Sequence, residues 1–217
     1  MSESSQDDKN STSISSPRIR EPKISKDIVN QLRTMDIFIG QQLNSGSFSV
    51  VCKAKYKGRN TAVKIINLDK TSNDYRNKFF PREIYALDKL KHPNIIEIVK
   101  MFGLKNEFFI FMEFAEGGDI LDLLKGGILS EQKAQSIYYQ IVDGMKYVHS
   151  LGIAHRDIKC ENVLLNKKWT IAKLTDFGFA TTTYESCTGR RIASQTFCGS
   201  AAYVAPVNSI QKYYIIV

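Results

Sequence analysis

Apolar residues fall in short runs through the first half of the chain and at helical spacing through much of the second, and that change of period divides it. Residues 1–35 are rich in Ser, Asp, Lys and Asn, with SESS and STSISS clusters and almost no aliphatic periodicity, which predicts a disordered tail. From Ile37 the texture changes. Ile37, Ile39 and Leu43, then Val50 and Val51, then Thr61 to Ile66 are β-prone runs punctuated by Gly46, Gly58 and Asn60, and they predict three antiparallel strands. Phe79, Phe80, Ile84, Leu87 and Leu90 recur at helical spacing within Tyr75 to Lys91, and His92-Pro93-Asn94 stops that helix. Ile95 to Val99 and Phe108 to Phe114 add two strands around a turn at Lys105-Asn106.

Beyond Gly117-Gly118 the pattern becomes helical. Ile120 to Leu124 come first; Ser130 then caps a longer helix bearing Ala134, Ile137, Tyr138, Ile141, Met145 and Val148, and Gly152 closes it. Val163 to Leu165 and Ile171 to Leu174 are short apolar runs, followed by a polar segment from Thr181 to Gln195. The sum is an α+β chain. Residues 36–115 form a five-stranded antiparallel lobe with one helix, residues 116–207 a mainly helical part, and residues 208–217 a separate tail ending in the β-prone, aggregation-prone run YYIIV.

Composition narrows the function classes. The 217 residues carry a formal net charge of +8, from 30 Lys and Arg against 22 Asp and Glu. The bases are scattered among acids without a long basic run, so the charge reads as a solvated surface and not a nucleic-acid site. There is no long uncharged apolar stretch, and the start is polar, which argues against a membrane span and a secretory signal. Cys52, Cys160, Cys187 and Cys198 lie far apart with no CxxC pair; this argues against a zinc site or disulfide framework and for a reducing, cytoplasmic location.

The chemistry concentrates in His155-Arg156-Asp157-Ile158-Lys159-Cys160-Glu161-Asn162 and in Asp176-Phe177-Gly178. Before them stand, in order, Leu43-Asn44-Ser45-Gly46-Ser47-Phe48-Ser49-Val50-Val51, then Ala62-Val63-Lys64 on a strand, then Arg82-Glu83-Ile84 on a helix. This ordered set resembles the eukaryotic protein kinase signature from about Asp36 to Pro206, which implies a protein-kinase-like bilobal fold. Tyr147-Val148-His149, the segment Lys173 to Ala180 and the segment Thr196 to Tyr203 are similar to the testis-specific serine/threonine kinases of the calcium/calmodulin-kinase-like group.

The resemblance implies transfer of the γ-phosphate of ATP, with Mg²⁺, to a protein hydroxyl. Asp157 would orient the hydroxyl and accept its proton, Lys159 would lie by the transferred phosphate, and Asn162 and Asp176 are oxygen ligands of the kind Mg²⁺ prefers. Lys64, paired with Glu83, would hold the nucleotide phosphates. Val51, Ala62 and Leu164 would sandwich the adenine, with Leu43 and Gly46 on the loop above it. Met112 would be the gatekeeper, the backbone of Glu113 and Ala115 would meet the adenine, and Asp119 would lie near the ribose. That loop keeps only Gly46 of the family's three glycines. Asn44 and Ser49 take the other places, where the tolerance of Asn for positive φ and the small size of Ser would keep the backbone close to phosphates.

Lys159 in HRDxK points to Ser/Thr substrates, and Glu161 to a basic context around the acceptor. Arg156 points to control by phosphorylation after DFG, with Thr196 as acceptor and Ser194 second. The implied partners are protein substrates with an activating kinase or a stabilising partner, and neither nucleic acid nor membrane. Where the family has Ala-Pro-Glu, the chain has Ala205-Pro206-Val207 and stops ten residues later, so on this resemblance the long central helix and the peptide platform are missing. Three readings follow: an active kinase, a non-catalytic truncated module that holds nucleotide or a partner, and an unstable fragment.

Overall fold

Strand alternation accounts for how the first lobe is layered. In a computed structural model, which describes residue 22, residues 24–184, residue 190 and residues 198–203, β1 (Ile37–Ser45), β2 (Ser49–Tyr56), β3 (Arg59–Asn67), β4 (Ile98–Leu104) and β5 (Glu107–Glu113) form one antiparallel sheet in the order β1-β2-β3-β5-β4. Val63 and Ile65 of β3, Cys52 and Ala54 of β2, and Phe109 and Phe111 of β5 make one buried apolar layer. Ile66 and Ile110 point the other way, into the core that continues through the rest of the molecule. Burial pushes the Cys52 thiol up to about 11, which leaves it an inert packing group.

The outer layer is covered by α1 (Lys26–Thr34), and here the expectation of a disordered tail through residue 35 is corrected. Ser25 accepts the Ile28 N–H as an N-cap, and Ile28 and Leu32, one turn apart, are buried against the sheet. Two apolar residues in a polar run are a weak periodic signal, but they meet a sheet face that needs a cover. The inner face packs on α2 (Phe80–Lys89) through Ala86, Leu87 and Leu90. A π-helical turn, Tyr75–Phe79, leads into α2, so the segment read as one helix has two parts. The strand expected at Ile95 to Val99 begins only at Ile98. Ile96 gives its N–H to the Leu174 carbonyl at 2.9 Å and Ile95 bridges to the same residue, so these two join the second lobe instead of the sheet.

The second part holds α3 (Ile120–Lys125), α4 (Glu131–Ser150) and four short strands: β6 (Ile153–Ala154), β7 (Val163–Leu165), β8 (Ala172–Leu174) and β9 (Thr181–Thr182). β7 pairs β8, and β6 pairs β9, which places the start of the expected polar segment beside the strand that precedes His155. Ser130 caps α4 as expected, and Gly152 follows with φ +65°. The parts are stitched by Asn94, whose Nδ2 donates to Gln140 Oε1 at 3.0 Å and to the Ala172 carbonyl at 2.9 Å. Thr196, Ser194, Cys187, Ala205-Pro206-Val207 and residues 208–217 lie outside the described residues, as does the Ser-rich stretch of residues 1–21. Among the described residues, no helix is long and apolar enough to cross a membrane.

Candidate active site

Lys64 projects from the inner face of β3 and reaches two carboxylates that are remote in sequence. Its Nζ lies 2.7 Å from Glu83 Oε1 on α2 and 3.0 Å from Asp176 Oδ1 after β8. Glu83 is 1% exposed, so its charge depends on that cation to offset desolvation. Burial would push the Lys64 ammonium down, but Glu83 and Asp176 reverse this and hold it above the usual lysine range. The Lys64 charge in turn holds Asp176 below the usual carboxylate range. Asp176 sits in a left-handed turn, φ +59°, ahead of the buried Phe177 ring, which packs 4.6 Å from His155.

The loop after β6 carries the second group of charges. His155 is fully buried; its Nε2 lies 2.9 Å from the Thr175 carbonyl, and its Nδ1 accepts the Asp157 N–H at 3.2 Å. A carbonyl can only accept, so the ring is the neutral tautomer with its proton on Nε2, and burial pushes its pKa down. Asp157 is 5% exposed. Asn162 Nδ2 donates to its carbonyl at 2.8 Å and to its Oδ2 at 3.0 Å, Lys159 Nζ lies 3.0 Å from Oδ2, and Ser200 donates to Oδ1 from its N–H at 2.9 Å and its Oγ at 2.8 Å. Burial would raise the Asp157 pKa, but bonds from Lys159, Ser200 and Asn162 outweigh it and leave the group low and ionised.

Lys159 also donates to Ser200 Oγ at 2.8 Å, so Asp157, Lys159 and Ser200 close a ring of contacts. Ser200 and Tyr75, discussed below, carry no role in the sequence reading. Ser200 follows Gly199, whose φ is +100° and whose site admits no Cβ, since one would stand 2.6 Å from the Arg156 carbonyl. That approach brings Ser200 to the loop carrying Asp157, and a glycine directly before the serine was the available signal. Arg156, φ +69°, gives its Nε proton to the Phe179 carbonyl at 2.6 Å, which ties the HRD turn to the segment after DFG.

The nucleotide side is built more loosely. The β1–β2 hairpin is held at its tip by the Gly46 N–H on the Ser49 carbonyl, 2.8 Å. None of Asn44, Gly46 and Ser49 has positive φ, so the expected use of Asn for a left-handed backbone is corrected: Asn44 Oδ1 instead accepts the Ser45 N–H at 2.7 Å. Sheet register pairs Val51 with Lys64 and Ala62 with Met112, which sets these apolar positions beside the lysine, while Leu43 is exposed on β1. Leu164 bridges to Asp119, and so lies next to the chain crossing between lobes. In that crossing Glu113 gives its N–H to the Glu97 carbonyl at 2.9 Å, and its Oε1 takes Lys173 Nζ at 2.7 Å and the Glu97 N–H at 2.8 Å. Ala115 has no backbone partner of its N–H among the described residues. The Asp119 carboxylate caps α3 by accepting the Asp122 N–H at 2.8 Å, a structural task beyond the ribose contact expected of it.

Asn162 and Asp176 fit Mg²⁺ by donor chemistry. Asn162 Nδ2 is directed to Asp157, its Oδ1 takes no side-chain or backbone bond among the described residues, and the Asp176 side chain is 47% exposed. The Thr175 N–H on the Asn162 carbonyl, 3.0 Å, joins the two segments. Among the described residues no three His, Cys, Asp or Glu side chains cluster as a metal cage. That suits an ion which keeps waters and takes one or two protein oxygens plus phosphate.

Comparison with known proteins agrees with this geometry. Residues 38–213 match the protein kinase domain family. The chain is 42% identical over 180 residues to mouse testis-specific serine/threonine-protein kinase 1, covering 81% of this chain and 49% of that protein. It is 42% identical over 172 residues to mouse testis-specific serine/threonine-protein kinase 3, covering 77% and 62%. The serine/threonine-protein kinase RAD53 of Saccharomyces cerevisiae is 34% identical over 204 residues, 91% of this chain and 24% of that protein. The chain thus spans about half to three-fifths of the testis-specific relatives it matches. With its motifs in order along the sequence and its charges gathered at one cleft, the chain belongs to the protein kinase domain family.

Proposed function

We propose that this chain is a serine/threonine protein kinase, transferring the γ-phosphate of ATP to a protein hydroxyl. The observation that carries the reading is Lys64 held between Glu83 and Asp176, with the Asp157–Lys159 pair bonded into the same cleft. In this reaction the substrate oxygen attacks the γ-phosphorus, the bond to the β–γ bridging oxygen breaks, and ADP leaves with that electron pair. The hydroxyl proton passes to the Asp157 carboxylate. A carboxylate held at low pKa is a weak base, so Asp157 works mainly by orienting the hydroxyl and takes the proton late.

Lys64 binds the nucleotide phosphates, and Lys159 offsets charge on the transferring phosphoryl group. Asn162 and Asp176 would hold Mg²⁺, which when bound neutralises charge on the β- and γ-phosphates. The backbone of Glu113 and Ala115 offers the adenine an edge, with Met112 as gatekeeper, Leu43 and Gly46 above it, Val51, Ala62 and Leu164 around it, and Asp119 near the ribose. The substrate is a protein Ser or Thr in a basic context read by Glu161, and Thr196 is the regulatory acceptor whose phosphate Arg156 pairs. The cysteine pattern favours a cytoplasmic location.

The test is transfer of labelled γ-phosphate from Mg-ATP to a basic Ser/Thr peptide by the purified chain. Asp157→Asn is expected to lower the rate by about 10²–10⁴-fold while leaving the nucleotide-induced rise in Tm intact. Transfer at the parental rate would overturn the assignment of Asp157. A nucleotide-dependent rise in Tm with no transfer by the unaltered chain would favour a binding module.

A further inference from the structure

Glu83 is gripped at both carboxylate oxygens. Its Oε1 meets Lys64, and its Oε2 accepts the Tyr75 hydroxyl at 2.9 Å. None of the motif residues accounts for Tyr75. Its placement depends on a break in helical regularity, because Tyr75–Phe79 is a π-helical turn in which the Phe80 N–H bonds the Tyr75 carbonyl. In an uninterrupted α-helix, residues eight apart are turned by roughly 80° from each other. The extra residue of a π turn takes up about 100°, which brings Tyr75 and Glu83 to within about 20° on one face.

The same aromatic ring reaches the nucleotide loop. Its centroid lies 4.4 Å from that of Phe48, at the tip of the β1–β2 hairpin, and 6.1 Å from Phe80. Burial, reinforced by the Glu83 charge, pushes the phenol above the usual tyrosine range, so Tyr75 keeps the proton it donates. We propose that Tyr75 is a positioning residue: its hydroxyl fixes Glu83, and through Glu83 the Lys64 ammonium, for the nucleotide phosphates, while its ring couples that pair to Phe48 of the covering loop. The proposal rests on the kinase reading above. Without the hydroxyl, Glu83 Oε2 is left buried and unpaired, and the carboxylate loses one of the two anchors that define its rotamer.

Tyr75→Phe keeps the ring and its packing, so it isolates the hydroxyl. Calorimetric titration with Mg-ATP is expected to show about tenfold weaker binding, the scale of one hydrogen bond to a charged group. In a Glu83→Ala background the same change is expected to cost less than about twofold, since the coupling has already been removed. Unchanged affinity in Tyr75→Phe, or full additivity with Glu83→Ala, overturns the proposal. A second measurement needs neither nucleotide nor activity. The Tyr75 ¹³Cζ resonance, assigned by its loss in Tyr75→Phe, is expected to shift in Glu83→Ala, and an unmoved resonance overturns the bond itself. Failure of the unaltered chain to transfer phosphate while binding Mg-ATP would sink the kinase reading alone, because both readouts remain measurable.

Discussion

The His155–Asn162 loop and the β1–β2 hairpin are built on opposite terms. The loop from His155 to Asn162 buries its key polar groups and holds them by hydrogen bonds: His155, Asp157 and Asn162 are each 5% exposed or less, and Asp157 alone takes bonds from three side chains. The β1–β2 hairpin, by contrast, is exposed or half-buried from Leu43 to Val51, and its tip is held by the Gly46 N–H on the Ser49 carbonyl and the Asn67 N–H on the Phe48 carbonyl. On the proposed kinase reading, the difference separates two requirements of phosphoryl transfer. Charges that act in the transition state must be fixed before substrate arrives, whereas a loop that covers phosphates must open and close. Asn44 and Ser49 stand at two of the loop's glycine places without positive φ, so no left-handed backbone there demands glycine.

The sharpest way to break the comparison is at the buried charges. Lys64→Met removes the cation between Glu83 and Asp176, and a buried pair broken on one side costs about 3–5 kcal/mol. Both Tm and phosphate transfer are expected to fall steeply, the latter by about 10²–10³-fold; a variant with parental Tm and parental transfer would show that the pair is incidental. Next comes the crossing between lobes. A Cβ at Gly117 would collide with the Leu165 and Asn166 carbonyls, so Gly117→Ala should lower stability by about 1–3 kcal/mol in denaturant melts. An unshifted midpoint would mean the crossing yields freely.

The hairpin predicts a much smaller effect. A Cβ on Gly46 would meet the flexible Ser49 Oγ at 3.3 Å and the Ser49 carbonyl at an ordinary 3.8 Å, so Gly46→Ala should keep stability within about 0.5 kcal/mol while weakening Mg-ATP binding severalfold. A large stability loss would make this loop as rigid as the catalytic one. Acidification supplies the last contrast. His155 has a folded pKa below the ordinary value of about 6.5, so the unfolded chain binds the proton first and stability declines as pH falls below about 6.5. Asp157 and Asp176 have lowered pKa values, and the stability they contribute above about pH 4 is lost as pH falls further, through their folded values. Tm measured against pH should therefore fall in two stages, and His155→Phe should flatten the first.

Much of this was legible in the chain because it is local or motif-bound. The alternation of β1 to β3, the Ser130 cap and the order Lys64, Glu83, Asp157, Asn162, Asp176 all sit in short windows of sequence, and the structure brings those residues to one cleft. What escaped depends on contacts distant in sequence. α1 is a helix because Ile28 and Leu32 meet an uncovered sheet, which its own polar window does not reveal. Ile95 and Ile96 have strand composition but lend their backbone to Leu174 of β8. Ser200 and Tyr75 gain their places from a left-handed glycine and a π turn, neither of which hydrophobic periodicity can register.

The central claim is that the buried, bonded groups of the His155–Asn162 loop carry the proposed chemistry and the exposed hairpin carries nucleotide affinity. Single-turnover transfer and Mg-ATP affinity, measured side by side for the unaltered chain, Asp157→Asn and Gly46→Ala, test it most directly. The account predicts that Asp157→Asn binds nucleotide normally and forms no phosphopeptide on the parental timescale, while Gly46→Ala binds weakly yet transfers at the parental rate once saturated. Loss of nucleotide affinity in Asp157→Asn together with a slowed saturated rate in Gly46→Ala would contradict it.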